Sequence, residues 1–125
     1  MKIIFNKKII ALGIALLFSS ALFAQTNQDT TMIVNGVCGM CQATIETAAA
    51  DLDGVDKVHW NKDTKVLKVS YNAEKLSLMQ ISDAINASGY DTEYNTAPEE
   101  AYQGLHKCCY YRDPKVIEDH KKKEQ

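Results

Sequence analysis

Thr31-Met32-Ile33-Val34-Asn35-Gly36-Val37-Cys38-Gly39-Met40-Cys41-Gln42-Ala43-Thr44-Ile45-Glu46 decides how this chain is read. Residues 31–35 are strand-like, and Gly36-Val37 breaks the run. From about residue 41 to 52 the apolar positions Ile45, Ala48, Ala49 and Leu52 recur at the spacing of one helix face. Cys38 and Cys41 therefore fall at a strand-to-helix junction. A helix N-terminus carries partial positive charge, which stabilises thiolates, the form that binds soft metals and attacks disulfides. The pair is either a metal clamp or a redox couple.

Working outward, Asp53-Gly54 stops the first helix, with Gly54 suited to a left-handed cap. Residues 55–60 and 65–71 alternate as two strands around the turn Asn61-Lys62-Asp63, with Val58, Trp60, Leu67, Val69 and Tyr71 facing inward. Ser77 and Gln80 form a capping box that opens a second helix. Ile81, Ala84, Ile85 and Ser88 line its inner face, and Gly89 ends it. Residues 90–95 are expected as a fourth strand. The order βαββαβ, with its tight central hairpin, predicts an α+β ferredoxin-like sandwich: a four-stranded antiparallel sheet and two helices.

The two ends differ in character. Met1-Lys2 and Lys7-Lys8, an apolar run over residues 9–18, and Ser19-Ser20-Ala21-Leu22-Phe23-Ala24 have the layout of a secretory signal peptide, residues 1–24. The run is short of the ~20 residues that a bilayer span needs. Without Lys2, Lys7 and Lys8, the 14 basic residues become 11 against 16 acidic ones, a net charge of −5. That balance disfavours nucleic acid as a partner. Residues 25–30 are polar and expected to be loose. Residues 97–125 form a C-terminal extension holding His106, Cys108 and Cys109, with a short helix expected over 99–105 and a charged end from Lys115.

Export would place all four cysteines in an oxidising setting. Neither pair makes a useful staple: Cys38–Cys41 closes a very short loop, and Cys108-Cys109 would form a strained ring. Both read as reactive or ligating groups. Soft sulfur suits Cu(I), and also Hg(II), Zn(II) or Cd(II). Cys108, Cys109 and His106 are candidates for additional ligands if the extension folds back, although adjacent cysteines rarely both reach one tetrahedral ion. His59 and His120 are read as ordinary surface residues and Trp60 as core.

Residues 34–46 resemble the heavy-metal-associated domain, the small fold of copper chaperones, of metal-pumping ATPase modules and of the periplasmic mercury-binding protein. Cys38, Cys41, Ile45 and Glu46 fall on the family's motif, and Ala84 to Asp91 resembles its second-helix ending. The resemblance covers about residues 31–96. Gly36-Val37 stands where the family commonly has Met-Thr. The resemblance implies a Cys38–Cys41 metal site with Tyr90 at its edge, shielding the ion and donating to sulfur. It further implies a carrier or scavenger, not an enzyme. The expected partners are the ion itself and a membrane metal exporter or another carrier. The chain would be monomeric or weakly dimeric, and periplasmic. The rival is a thiol–disulfide oxidoreductase using the same pair. That fold supplies a cis-proline beside its thiols, whereas Pro98 and Pro114 both lie in the extension.

Overall fold

The computed structural model describes residues 27–125; the expected signal peptide, residues 1–24, lies outside them. Three strands, β1 (Asn27–Ile33), β2 (Val55–Trp60) and β3 (Val66–Asn72), make an antiparallel sheet of order β1-β3-β2. Helices α1 (Gly39–Ala50) and α2 (Leu78–Ala87) pack on it. In the extension, α3 (Glu99–Gln103), a 3-10 turn (Lys107–Cys109) and α4 (Pro114–Lys123) follow.

Alternation along the strands puts Met32, Leu67, Val69, Tyr71 and Trp60 on the covered face. Opposite them lie Cys41, Ile45 and Ala49 of α1, four residues apart, and Ile81 and Ile85 of α2. That four-residue spacing aligns side chains along one helix face. Ala48 and Leu52, expected inward, are half-buried at its margin. Ser77 accepts from Gln80 N while Gln80 Oε1 accepts from Ser77 N, so the expected capping box is formed. Gly54 and Gly89 both take positive φ at the helix exits.

Two expectations are corrected. Residues 27–30 are not loose: Asn27 to Thr30 pair with Asn72 to Val69 and extend β1 toward the N-terminus. Their polarity reflects exposed strand positions and carries no information about pairing. Residues 90–95 do not form a full fourth strand. A single antiparallel bridge, Val34 to Thr92, joins them to the free edge of β1, with hydrogen bonds from Asn35 N to Asp91 O and from Glu93 N to Ile33 O, both 2.9 Å. Thr92 then closes a local turn: its N donates to Asn95 O, and its Oγ1 accepts from Tyr94 N and Asn95 N. A threonine hydroxyl that captures nearby backbone donors competes with ladder formation. Asp91 Oδ1 also accepts from Ala97 N at 2.7 Å, turning the chain into the extension.

Candidate metal centre

Cys38 is the N-cap of α1, in extended backbone, and Cys41 lies in the first turn. Cys41 is fully buried and Cys38 half-buried, with their Sγ atoms 3.6 Å apart and both thiols free. Val37 N donates to Cys41 Sγ at 3.4 Å. Burial alone would push the Cys38 thiol up. The backbone N–H groups of Cys41 and Met40 and the Cys41 and Cys109 thiols outweigh it, so Cys38 ends below its ordinary value. The N–H groups at the helix start and the neighbouring thiols thus shift this sulfur toward its thiolate form.

The floor of the loop is Trp60, fully buried, whose Nε1 donates to Val34 O at 3.0 Å. Gly36 rests against its ring: a Cβ there would fall 2.8 Å from Trp60 Cη2 and 3.1 Å from Cys41 Cβ. Val37 packs half-buried against the same cluster. Trp60 and Val37 together fill the space beneath the thiol loop. Only glycine permits the close approach at residue 36, a requirement that becomes visible only once Trp60 is placed. Gly36→Ala should cost about 1–3 kcal/mol, the usual penalty for overpacking, as a lowered urea midpoint.

The extension folds back over this loop. Tyr111 Oη donates to Gly89 O at 2.8 Å and accepts from Asp91 N at 2.9 Å, while its ring stacks on Tyr90 with centroids 5.5 Å apart. Arg112 makes a forked pair with Asp91 at 2.7 and 3.2 Å, reaches Glu99 at 3.0 Å, and lies over the Tyr102 ring at 4.2 Å. These contacts carry the 3-10 turn to the thiol loop. The Sγ atoms of Cys38, Cys108 and Cys109 lie within 4.8 Å of one another. Cys109 is buried and Cys108 exposed. Cys108 Sγ sits 3.9 Å from Cys109 Sγ and 3.6 Å from Met40 Sδ. His106 is exposed and stands outside this cluster; its carbonyl accepts from Cys109 N at 2.8 Å. His120 reaches the Cys108 carbonyl through Nε2 at 2.8 Å. The sequence reading assigned no role to Met40, Tyr111, Arg112 or His120. A Tyr-Tyr-Arg run directly after two cysteines is the one local signal that a docked segment was present.

Tyr90 is fully buried at the same place, and among the described residues its hydroxyl has no well-formed hydrogen bond, facing only the Cys41 and Cys109 sulfurs. Burial raises its pKa strongly, and the facing Cys41 and Cys109 sulfurs raise it further. An unpaired buried hydroxyl beside sulfurs is a donor waiting for a thiolate acceptor. Burial likewise pushes the Cys109 thiol well up, with Cys41 adding to the effect.

The Asp91–Arg112 pair gives the docking a pH dependence. Burial would raise the Asp91 carboxyl, but the Arg112 guanidinium and the Ala97 N–H hold it below the usual carboxylate range. A depressed carboxylate contributes stability above its unfolded pKa of about 3.9 and loses it as pH falls through the lower folded value. Arg112→Gln should therefore be less stable than wild type at neutral pH. The difference should shrink as pH drops below about 4, as read by urea unfolding across pH.

A soft-donor cluster at the helix end of an α+β sheet defines a class of small metal-binding domains. The heavy-metal-associated domain model matches residues 31–91. The chain is 40% identical over 65 residues to the copper chaperone CopZ of Bacillus subtilis, covering 51% of this chain and 94% of that protein. It is 35% identical over 65 residues to CopZ of Staphylococcus aureus strain MRSA252, covering 52% and 96%. Among solved structures it resembles a CopZ metallochaperone (32% identity, TM-score 0.51, 52% of this chain and 98% of that one). It also resembles oxidised MerP from Ralstonia metallidurans CH34 (28% identity, TM-score 0.52, 54% and 96%). The chain belongs to the heavy-metal-associated family, and residues 92–125 lie beyond the matched span.

Proposed function

We propose that this protein is an exported carrier or scavenger of a soft metal ion, Cu(I) before Hg(II), Zn(II) or Cd(II), held first by Cys38 and Cys41. The observation that carries the reading is the 3.6 Å approach of two free thiols at the start of α1. Thiolates select soft ions, and an exchange-labile sulfur site suits handing the ion to a membrane exporter or another carrier. The likeness to CopZ and MerP supports the metal class. Residues 1–24 support export to the periplasm. No reaction is assigned to the chain.

The rival, a thiol–disulfide oxidoreductase, uses the same lowered Cys38 thiol. Titrating the reduced protein with Cu(I) against a competing chelator, then assaying insulin reduction, separates them. The carrier reading expects tight binding and no reductase activity. Turnover of insulin with no retained copper would replace it with the rival.

Tyr90→Phe gives a pair of opposite outcomes. Removing a buried hydroxyl whose only neighbours for pairing are thiols should leave the metal-free protein as stable as the wild type or stabilise it by up to about 1 kcal/mol. The same change removes a donor to the metal-bound sulfur, so Cu(I) affinity should fall, on the order of tenfold. Thermal unfolding and chelator competition read the two effects separately.

A further inference from the structure

We propose that the C-terminal extension completes the metal site: Cys109, with Cys108 beside it, adds thiolate ligation to Cys38 and Cys41, so the ion is enclosed by at least three sulfurs of its own chain. This deepens the reading above and rests on it.

Sulfur spacing carries the argument. With metal–sulfur bonds of about 2.3 Å, two thiolates on opposite sides of one ion stand about 4.6 Å apart. Trigonal ligation brings sulfurs to about 4.0 Å and tetrahedral ligation to about 3.8 Å at the same bond length. Cys38 and Cys41 stand at 3.6 Å, and Cys108 and Cys109 at 3.9 Å. Both spacings match an angular, higher-coordinate arrangement and are short for a linear one. Cys38 joins the two pairs, because its sulfur lies within 4.8 Å of both extension sulfurs.

The extension is held there by a built interface. Tyr111 is buried and satisfies both the Gly89 carbonyl and the Asp91 N–H. Arg112 forks onto Asp91, whose side chain is 16% exposed. Gly89 has no room for a side chain: a Cβ would meet Ala101 O and Leu105 Cδ2, both at 2.8 Å. The turn that ends α2 is therefore the seat on which the extension rests. Cys109 arrives 2% exposed, facing inward. Cys108 arrives at the surface, braced by the Met40 thioether, a second soft sulfur at 3.6 Å. A two-sulfur loop open to solvent gives up its ion to any approaching thiol. Here an incoming thiol meets a site already covered, and exposed Cys108 is the sulfur it displaces most easily. The assembly favours ions that accept three or four thiolates and slows their release.

X-ray absorption on the reduced full chain, loaded with one equivalent of Cu(I), counts sulfurs per ion. It is paired with chelator competition for the wild type, Cys108→Ser/Cys109→Ser and Cys38→Ser/Cys41→Ser. Three or more sulfurs in the wild type, falling to two in Cys108→Ser/Cys109→Ser with affinity lower by roughly 100-fold or more, establish the proposal. Two sulfurs in the wild type, with unchanged affinity in Cys108→Ser/Cys109→Ser, overturn it and leave the Cys38–Cys41 reading intact. Copper affinity that survives in Cys38→Ser/Cys41→Ser overturns that reading and this proposal together. The wild-type sulfur count decides the matter alone if a variant does not fold.

Discussion

Cys38→Ser should lose soft-metal binding almost entirely. Structural zinc sites with four ligands are worth roughly 10–16 kcal/mol, or about 2.5–4 kcal/mol per ligand. At about 1.4 kcal/mol per decade, that is about two to three orders of magnitude in affinity. Serine supplies a hard oxygen that stays protonated, so the loss for Cu(I) should sit at the upper end of that range. Cys38 is the sulfur that joins Cys41 at 3.6 Å to the Cys108–Cys109 pair, so its loss divides the cluster. Fold should be little affected, because Cys38 is only half-buried and serine can still accept from the first N–H groups of α1. Chelator competition alongside circular dichroism checks both halves. Affinity unchanged from the wild type would place the ion elsewhere.

Trp60→Ala should produce the largest loss of stability, about 3–5 kcal/mol, the usual cost of emptying a buried aromatic position. Trp60 is fully buried at the end of β2 and spends its indole N–H on Val34 O. Its removal opens a cavity under Gly36 and leaves that carbonyl unpaired. Small domains have only about 5–15 kcal/mol in all, so the variant should unfold at a much lower urea concentration. The floor of the thiol loop goes with it, so metal affinity should fall even where the rest of the sheet survives. Trp60→Phe retains most of the volume and should fall between the two, with the unpaired Val34 carbonyl as its residual cost.

Local chemistry made parts of this molecule legible. Ser77 and Gln80 announce a helix start wherever they occur at that spacing, and the alternation of Leu67, Val69 and Tyr71 can only belong to a half-buried strand. Cys38 and Cys41 were readable because thiols at a strand-to-helix step have few uses. Other features depend on partners distant in sequence. Asn27 to Thr30 look like loop until β3 supplies their hydrogen bonds. The edge segment after Tyr90 looks like a strand until Thr92 takes its donors into a turn. The need for glycine at position 36 appears only when Trp60 arrives from β2. The extension is the strongest case. Its seat is made by Gly89, Tyr90 and Asp91 together, and no periodicity marks Tyr111 or Arg112 as the residues that will occupy it.

The central claim is that a soft cation is held where the start of α1 meets the covering turn of the extension. Amide and side-chain NMR of the reduced full chain, recorded during Cu(I) titration, tests it most directly. The largest shifts should map to residues 36–42, to Tyr90 and to residues 106–111, and should saturate together. Shifts concentrated at the histidines and acidic groups of the open sheet face or of α4, or no saturable change at all, would contradict it.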